Sequence, residues 1–255
     1  MAPIPNTTKD RELVLCVRQE DWQRQLDASN LITSVRCADY CVPRIVGGWP
    51  DAADLPLLAL PRGLCETDPQ YRQLVPYITL QPRLPDNRPM ADTYLLYQRT
   101  QGAERRLSGR YSVGIGGHVN LRDVTQLNEA AGAGALASIY ESVTAAALRE
   151  LFEELPEWMW AAADAATRGW ADASEAASLL GIIDQRSDAV GSVHLGFHLH
   201  VRLSAQLWEY LPDGLATTIQ TECGDGSFAT RDEIQSKYYD ALEPWSQTVM
   251  RAHTS

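Results

Sequence analysis

Three glutamates near the middle of the chain have the residue type and the spacing of a metal site. Glu150, Glu153 and Glu154 stand at positions i, i+3 and i+4, which are neighbours on the surface of an α-helix. Like charges at these spacings repel each other by roughly a few tenths of a kcal/mol per pair. Clustered carboxylate oxygens are also the ligands that Mg²⁺ and other hard divalent cations prefer. The alternative is a solvated helix face in an acidic protein.

The residues around these glutamates predict a short amphipathic helix. Four apolar residues at helical spacing predict an apolar face: Leu148, Leu151, Phe152 and Leu155. The glutamates are predicted on the opposite side of the helix. Ser142 or Thr144 can cap the start of this helix, so Glu141 is expected in the preceding loop. Pro156 is expected to end the helix.

The same stretch resembles a known signature. Glu141, followed after seven residues by Arg149-Glu150-Leu151-Phe152-Glu153-Glu154, resembles the second half of the Nudix box. That box belongs to hydrolases of nucleoside diphosphates linked to another group. Upstream, Gly114-Ile115-Gly116-Gly117-His118 resembles the Gly-Gly turn that opens the box.

The two halves are farther apart here than in the family pattern. The segment 118–140 that separates them contains a Gly/Ala-rich run, Ala130 to Ala135, which predicts a flexible insertion. The position after the helix, usually Gly in the family, is Pro156. We therefore interpret the signature as a Nudix box split by an insertion.

The resemblance implies an α/β fold, namely a Nudix-type α/β/α sandwich with a mixed β-sheet and helices on both faces. Residues 1–68 are interpreted as an N-terminal extension or a small added lobe. Residues 69–255 are interpreted as the catalytic domain.

The resemblance also implies roles for the residues of the second half of the box. Glu150, Glu153 and Glu154 are the expected metal ligands. Glu150 and Glu153, together with Glu141 and Arg149, are the expected catalytic set, in which Arg149 orients Glu141. One of the glutamates, or a glutamate elsewhere in the chain, is the expected general base.

The first half of the box is expected to contribute to binding. The turn at Gly116 and Gly117 can bring backbone carbonyls close to the metal because no Cβ intervenes. His118 follows the two glycines, and the sequence leaves open whether it contacts phosphate or is structural.

The function that this resemblance implies is Mg²⁺-dependent hydrolysis of a phosphoanhydride bond in a nucleotide-like compound, with Mn²⁺ as a second candidate ion. The expected substrate is a small nucleoside diphosphate derivative. Two other classes stay open: a nucleotide-binding or regulatory module that has lost turnover, and a diphosphate isomerase on the same fold.

Composition limits the partners of the protein. The chain of 255 residues is 45% hydrophobic and has a net charge of −11, so it can form a large core, but it disfavours extended nucleic acid. We find no signal peptide and no apolar run long enough for a membrane span. The sequence predicts a cytoplasmic protein without a membrane partner and leaves a homodimer open.

Two other groups of possible ligands receive a simpler interpretation. Cys37, Cys41 and Cys65 have no fourth ligand at the spacing of a zinc finger, so free thiols are favoured over a metal site. The alternating stretch Val193 to Leu203 predicts a strand. On its polar side, His198-x-His200 is interpreted as a face that lines a cleft or meets solvent rather than as a metal site.

Hydrophobic patterns predict the other elements. Expected strands cover Glu12–Val17, Val75–Leu80, Thr93–Thr100, Arg110–Val119 and Gly181–Asp184, and expected helices cover Asp21–Ile32 and Asp232–Leu242.

Overall fold

A computed structural model of the protein describes residues 11–27, 32–37, 39–43, 55–86, 88, 90, 92–100, 107–124, 139–159 and 177–252. The predicted run Ala130 to Ala135 lies outside these residues. The described strands are β1 (Leu13–Arg18), β2 (Ile32–Cys37), β3 (Tyr40–Pro43), β4 (Leu58–Pro61), β5 (Tyr71–Pro82), β6 (Thr93–Gln98), β7 (Tyr111–Ser112), β8 (Gly114–Gly116), β9 (Ala177–Ile183), β10 (His194–Leu203), β11 (Ile219–Thr221) and β12 (Gly224–Thr230).

The described helices are α1 (Gln19–Asp27), α2 (Arg62–Cys65), α3 (121–124), α4 (Ile139–Glu154), α5 (157–159), α6 (Arg231–Glu233) and α7 (Pro244–Ala252). Short 3₁₀ segments connect several elements, and a π-helical turn, Ile234–Tyr238, follows α6. Within the described part of the chain, no helix is long and apolar enough to cross a membrane.

The larger sheet has the strand order β2-β3-β9-β10-β5-β1-β4, and β8 pairs with β5 off this path. β1 runs antiparallel to β5, with Cys16 opposite Gln73. β5 and β10 run parallel, because the side chain of Gln73 meets His194 and that of Thr79 meets His200, equally far along both strands. The predicted mixed sheet is therefore confirmed.

The smaller sheet is antiparallel, with the order β11-β12-β6-β7. β12 begins at Gly224, where φ is +147° and a Cβ would collide with the carbonyl oxygen of Gln98. Only glycine fits this position without strain.

The prediction of one strand over Arg110–Val119 is wrong. The chain forms β7, which pairs with β6, and then β8, which pairs with β5. The break lies at Val113. It follows Ser112, whose hydroxyl donates to the carbonyl oxygen of Gly114 at 3.0 Å and accepts from its amide at 3.3 Å. Such local side-chain bonds give the backbone an alternative to a continuous ladder.

Two of the predicted helices have other bounds. The helix expected over Asp21–Ile32 is α1, which ends at Asp27, while Ile32 begins β2. The helix expected over Asp232–Leu242 combines α6 with the π-helical turn and a 3₁₀ turn, Tyr239–Ala241. The amphipathic α7, which buries Trp245, was not predicted.

The described chain divides into two compact units, each built from three segments. The first unit takes its residues from Met1–Pro76, Gly117–Ala147 and Gly181–Phe197, and the second from Tyr77–Gly116, Leu148–Leu180 and His198–Ser255. The division into residues 1–68 and 69–255 stays a prediction.

A buried arginine connects the elements of the first unit. Arg72 on β5 is fully buried and donates to Asp184 at 2.8 Å and to Gln19 on α1 at 2.8 Å. It also donates to the carbonyl oxygens of Gly191 and His194. These bonds hold the beginning of β10, and with it His194, in place.

In the second unit, a buried polar cluster joins β5 to the start of α7. The hydroxyl of Tyr77 donates to Glu243 at 2.7 Å and lies 2.7 Å from the hydroxyl of Ser246. Burial, followed by the charge of Glu243, raises the pKa of Tyr77 well above its ordinary range, so this phenol stays protonated.

Candidate functional site

Helix α4 begins earlier than the sequence predicts. It starts at Ile139, which is 7% exposed, and Glu141 lies in its first turn with an exposed side chain. The predicted start at Ser142 or Thr144, and with it the placement of Glu141 in a loop, is wrong. A carboxylate in the first turn interacts favourably with the helix dipole. The predicted end is confirmed, because the helix stops at Glu154, just before Pro156.

The buried face of α4 is the face that carries glutamate. Val143, Ala146 and Ala147 are fully buried, and Glu150 follows on the same side at helical spacing. Phe152, by contrast, is 40% exposed. The predicted apolar face is thus wrong for Phe152, although Leu151 and Leu155 are buried as expected.

Glu150 is the most enclosed member of the acidic cluster. The residue is 7% exposed, and its carboxylate accepts from Arg149 at 2.5 Å. Burial raises the pKa of Glu150, the neighbouring Arg149 opposes this effect, and Glu153 and Glu154 add to it. Binding of a cation would offset the free-energy cost of burying this carboxylate.

Glu153 is the exposed member of the cluster. Half of its side chain is accessible, and it accepts from Arg149 at 3.0 Å. Arg149 therefore bridges the carboxylates of Glu150 and Glu153 through a single nitrogen, Nη1. The pairing of Arg149 with Glu141 stays a prediction.

Glu154 has a buried carboxylate oxygen, Oε2, with no hydrogen-bond partner. Burial, together with the charge of Glu154, raises the pKa of the neighbouring Cys223 to about 12, so this thiol stays protonated. A buried oxygen without a partner is costly, and a cation would satisfy it. The three glutamates thus fit a hard divalent ion in donor chemistry.

In the first half of the predicted box, Gly117 and His118 form a connection between two segments that both bond to the backbone of β5. Gly116 ends β8 and pairs with Tyr77. After Gly117 and His118, the amide of Val119 donates to the carbonyl oxygen of Leu74 at 3.0 Å. The predicted contacts of the two glycines with a metal stay predictions.

His118 meets a histidine that sequence reasoning did not select. Its Nε2 lies 3.0 Å from Nε2 of His194, the first residue of β10. Glu66, which directly follows α2, completes a group whose ligand atoms all lie within 4.8 Å of one another. Among the described residues, the glutamates of α4 do not form such a group. The sequence contains no local signal for this cluster, because its members are far apart in the chain.

The other histidines of β10 are buried. His198 and His200 are 0% and 6% exposed, and both lie within hydrogen-bond distance of the hydroxyl of Thr79. Of the two predicted alternatives for this face, contact with solvent is therefore wrong for these two residues, and the lining of a cleft stays a prediction. The described cysteines Cys41 and Cys65 are free thiols, as predicted; the side chain of Cys37 lies outside the described part.

Comparison with known proteins supports the fold. The crystal structure of Tm1382, a candidate Nudix hydrolase, superimposes with a TM-score of 0.56 at 18% identity, over 94% of this chain and 96% of that one. This chain has the Nudix fold. The predicted Nudix-type α/β fold is thereby confirmed, while the splitting of the box stays a hypothesis.

Two further comparisons describe the relatives of this Nudix-fold protein. It is 28% identical to Protein YmaB of Bacillus subtilis (strain 168) over 191 residues, 74% of each chain. RenU, a Nudix hydrolase from M. smegmatis, gives a TM-score of 0.31 at 13% identity over 71% of this chain and 83% of that one, too low to bear on the fold. No family model matches the chain.

Proposed function

We propose that this protein is a Nudix-type pyrophosphohydrolase that cleaves a phosphoanhydride bond in a small nucleoside diphosphate derivative with the help of Mg²⁺ or Mn²⁺. The observation that carries the proposal is the orientation of α4. The helix buries Glu150 and one oxygen of Glu154 while it exposes Phe152. A helix that served only solubility would bury the phenylalanine and expose the carboxylates.

Glu150, Glu153 and Glu154 are the residues that would hold the ion. When bound, a divalent ion neutralises phosphate oxygens and lowers the pKa of a coordinated water. Arg149 fixes the direction of two of the three carboxylates through its bonds of 2.5 and 3.0 Å. Because the guanidinium of Arg149 bridges Glu150 and Glu153, we expect it to keep its bond to Glu150, while the carboxylate of Glu153 leaves Arg149 and binds the ion.

The charge of the chain makes the cation necessary for substrate capture as well. A protein with a net charge of −11 repels a diphosphate. Local positive charge at the site must offset this repulsion before the substrate can bind. We therefore expect that the apparent affinity for substrate, and not only the rate of hydrolysis, depends on the divalent ion.

A screen of candidate substrates tests the proposal. Nucleotide sugars, dinucleoside polyphosphates, NADH, ADP-ribose and nucleoside triphosphates are incubated with the full chain and Mg²⁺. Alkaline phosphatase then releases phosphate from the products of the first four classes, and inorganic pyrophosphatase releases it from pyrophosphate formed from the triphosphates. We expect one class to be cleaved, with a rate that rises toward mildly alkaline pH because the attacking water must lose a proton.

Each other outcome contradicts the proposal in a recognisable way. Full turnover in excess EDTA would remove the metal-dependent mechanism. Thermal stabilisation by a nucleotide without any turnover would indicate a binding module. A product with the mass of the substrate would indicate an isomerase.

A further inference from the structure

A second group of possible metal ligands lies in the first compact unit, outside the acidic face of α4. Glu66, His118 and His194 bring their ligand atoms within 4.8 Å of one another. Two imidazoles and one carboxylate are a donor set that Zn²⁺ and other divalent transition metals use. This set differs from the all-carboxylate set of α4, which suits a hard cation.

The ring of His194 is held in the tautomer that binds a metal. Its Nδ1 lies 2.7 Å from the carbonyl oxygen of Val190. Because a carbonyl oxygen only accepts, Nδ1 carries the hydrogen and donates it. Nε2 of the neutral ring then presents its lone pair toward His118. A backbone carbonyl that fixes the far nitrogen is the usual outer contact of a metal-binding histidine.

The distance between the two rings is close to the distance that a shared ion requires. The two Nε2 atoms are 3.0 Å apart. With Zn–N bonds of about 2.0–2.1 Å and tetrahedral angles, two bound nitrogens lie roughly 3.3 Å apart. A small outward movement of either His118 or His194 therefore suffices to admit the ion.

Nε2 of His194 has one lone pair but two possible donors within reach. This single acceptor faces Nε2 of His118 at 3.0 Å and the amide nitrogen of Gln73 at 3.3 Å. Gln73 is fully buried, and its Oε1 has no hydrogen-bond partner. A cation would take the lone pairs of both rings, and a half-turn of the Gln73 amide would then direct its oxygen toward the cation. Buried groups of this kind call for an ion or a water.

Glu66 supplies the negative charge and lies on the accessible side of the cluster. Its side chain is 21% exposed, and Nε of Arg62 donates to its Oε1 at 3.0 Å. A carboxylate offers about four lone-pair sites on two oxygens, so the bond to Arg62 leaves capacity for a metal. Arg62 holds the carboxylate in position, and the partial exposure gives an ion a route from solvent.

We propose that Glu66, His118 and His194 bind one divalent transition-metal ion of the Zn²⁺ class, with Gln73 as a positioning residue. Three protein ligands leave a fourth position for a water or for an oxygen of a ligand. The site shares no residue with the glutamates of α4, so it stands or falls independently of the proposed hydrolase activity.

Metal binding by the full-length protein tests the proposal. Protein stripped with a chelator is dialysed against Zn²⁺ in the presence of excess Mg²⁺, and bound zinc is counted by mass spectrometry. We expect one zinc ion per chain that Mg²⁺ does not displace. His118→Asn and Glu66→Gln should each weaken binding by about 100-fold or more, and Gln73→Leu by roughly 10- to 100-fold.

Matched variants separate this site from the acidic helix. Glu209→Gln, at an exposed glutamate, and Glu150→Gln should both retain the zinc ion with wild-type affinity. Titration with Co²⁺ gives a second measurement, because bound imidazoles produce visible absorption bands that His118→Asn should abolish. Circular dichroism in chelator checks that each variant is folded.

Three results would overturn the proposal. The first is a wild-type chain that binds no zinc under Mg²⁺ competition. The second is zinc that is retained in both His118→Asn and Glu66→Gln. The third is zinc that Glu150→Gln abolishes, because the ion would then belong to α4. If one ligand variant fails to fold, the other variant and the Co²⁺ spectrum of the wild type decide.

Discussion

At the scale of single residues, Glu150 and Glu153 illustrate how one turn of helix gives identical side chains different properties. Glu150 is 7% exposed, whereas half of the Glu153 side chain is accessible. Both accept from Arg149. We therefore expect substitutions of Glu150 and of Glu153 to differ in their effects on stability and on catalysis.

Glu153→Gln should abolish most of the activity without a cost in stability. The substitution keeps the shape of the side chain but removes a charge expected to bind Mg²⁺, so turnover should fall by about 100-fold or more. An exposed ion pair contributes roughly 0–1 kcal/mol, and a repelling neighbour is lost at the same time. Turnover and melting temperature are measured beside Glu209→Gln. A variant with the rate and the metal dependence of the wild type would refute the assignment of Glu153.

Glu150→Gln should change how stability depends on pH. The folded pKa of Glu150 is raised from its ordinary value of 4.5 by burial. Its contribution to stability is therefore fully present below pH 4.5 and is lost as pH rises through the folded pKa. Without metal, the unfolding free energy of the variant should therefore increase relative to that of the wild type as pH rises across this window. Urea unfolding at a series of pH values measures it, and Mg²⁺ should restore the wild type alone. Parallel curves would contradict the prediction.

At the scale of elements, α4 is defined by which side it buries. Its interior face contains small residues, Ala146 and Ala147, beside Glu150 and Leu151. Small side chains let the helix backbone approach its neighbours closely, so the carboxylate of Glu150 lies deep in the fold while the larger Phe152 lies outside.

Alanine substitutions at two adjacent positions test this orientation. Leu151→Ala removes a side chain that is 2% exposed and should lower the unfolding free energy by about 2–5 kcal/mol. Phe152→Ala, at a residue that is 40% exposed, should cost much less, about 1 kcal/mol. Chemical denaturation of both variants gives the comparison. Equal losses of unfolding free energy would indicate that α4 buries the apolar face predicted from the sequence, including Phe152.

The same helix explains where sequence reasoning succeeded and failed. The position of the acidic cluster and the end of the helix before Pro156 follow from local chemistry, and both were predicted. Which face is buried is a tertiary property. A count of large apolar residues favoured the side of Phe152, because alanine adds little to such a count although it packs well against a neighbouring element.

Strand β10 gives a second example at this scale. Its alternating pattern predicted the strand almost to its ends. An alternating pattern distinguishes the two faces of a strand, but it does not reveal whether other elements cover both faces. In β10, the side chain of His198 is as buried as that of Leu199. The cluster of Glu66, His118 and His194 was not predictable, because contacts between distant segments leave no local pattern.

At the scale of the whole molecule, the described residues are held together by charge as well as by apolar packing. In the first unit, Asp184 accepts from Arg72, Arg186 and Trp22 at 2.8 to 2.9 Å. Burial acts to raise the pKa of Asp184, but hydrogen bonds from Arg186 and the charge of Arg72 outweigh it and hold the pKa at about 2.

Asp184→Asn should destabilise the protein strongly at neutral pH. Arg72 would remain buried without its negative partner, at a cost of about 3–5 kcal/mol. Because the folded pKa is depressed from 3.8 to about 2, the contribution of Asp184 is present above pH 3.8 and is lost as pH falls through 2. The unfolding curves of variant and wild type should therefore converge in acid.

The control for this measurement is Asp86→Asn, which removes an aspartate paired with Arg88 on the surface. Its effect on the unfolding free energy should be small, because solvent screens an exposed ion pair. If Asp184→Asn costs no more than this control at neutral pH, the buried network does not stabilise the first unit.

The interleaved segments of the two units also set the order of events on the ribosome. When residues up to Pro76 have emerged, Arg72 has been made, but its partners Asp184, Gly191 and His194 have not. During synthesis, N-terminal parts usually fold first. The N-terminal part of the first unit cannot complete its folding in this way, because the later segments of the unit have not yet been made. The nascent β5 can already pair with β1, but the guanidinium of Arg72 stays hydrated until Asp184 and the start of β10 leave the exit tunnel.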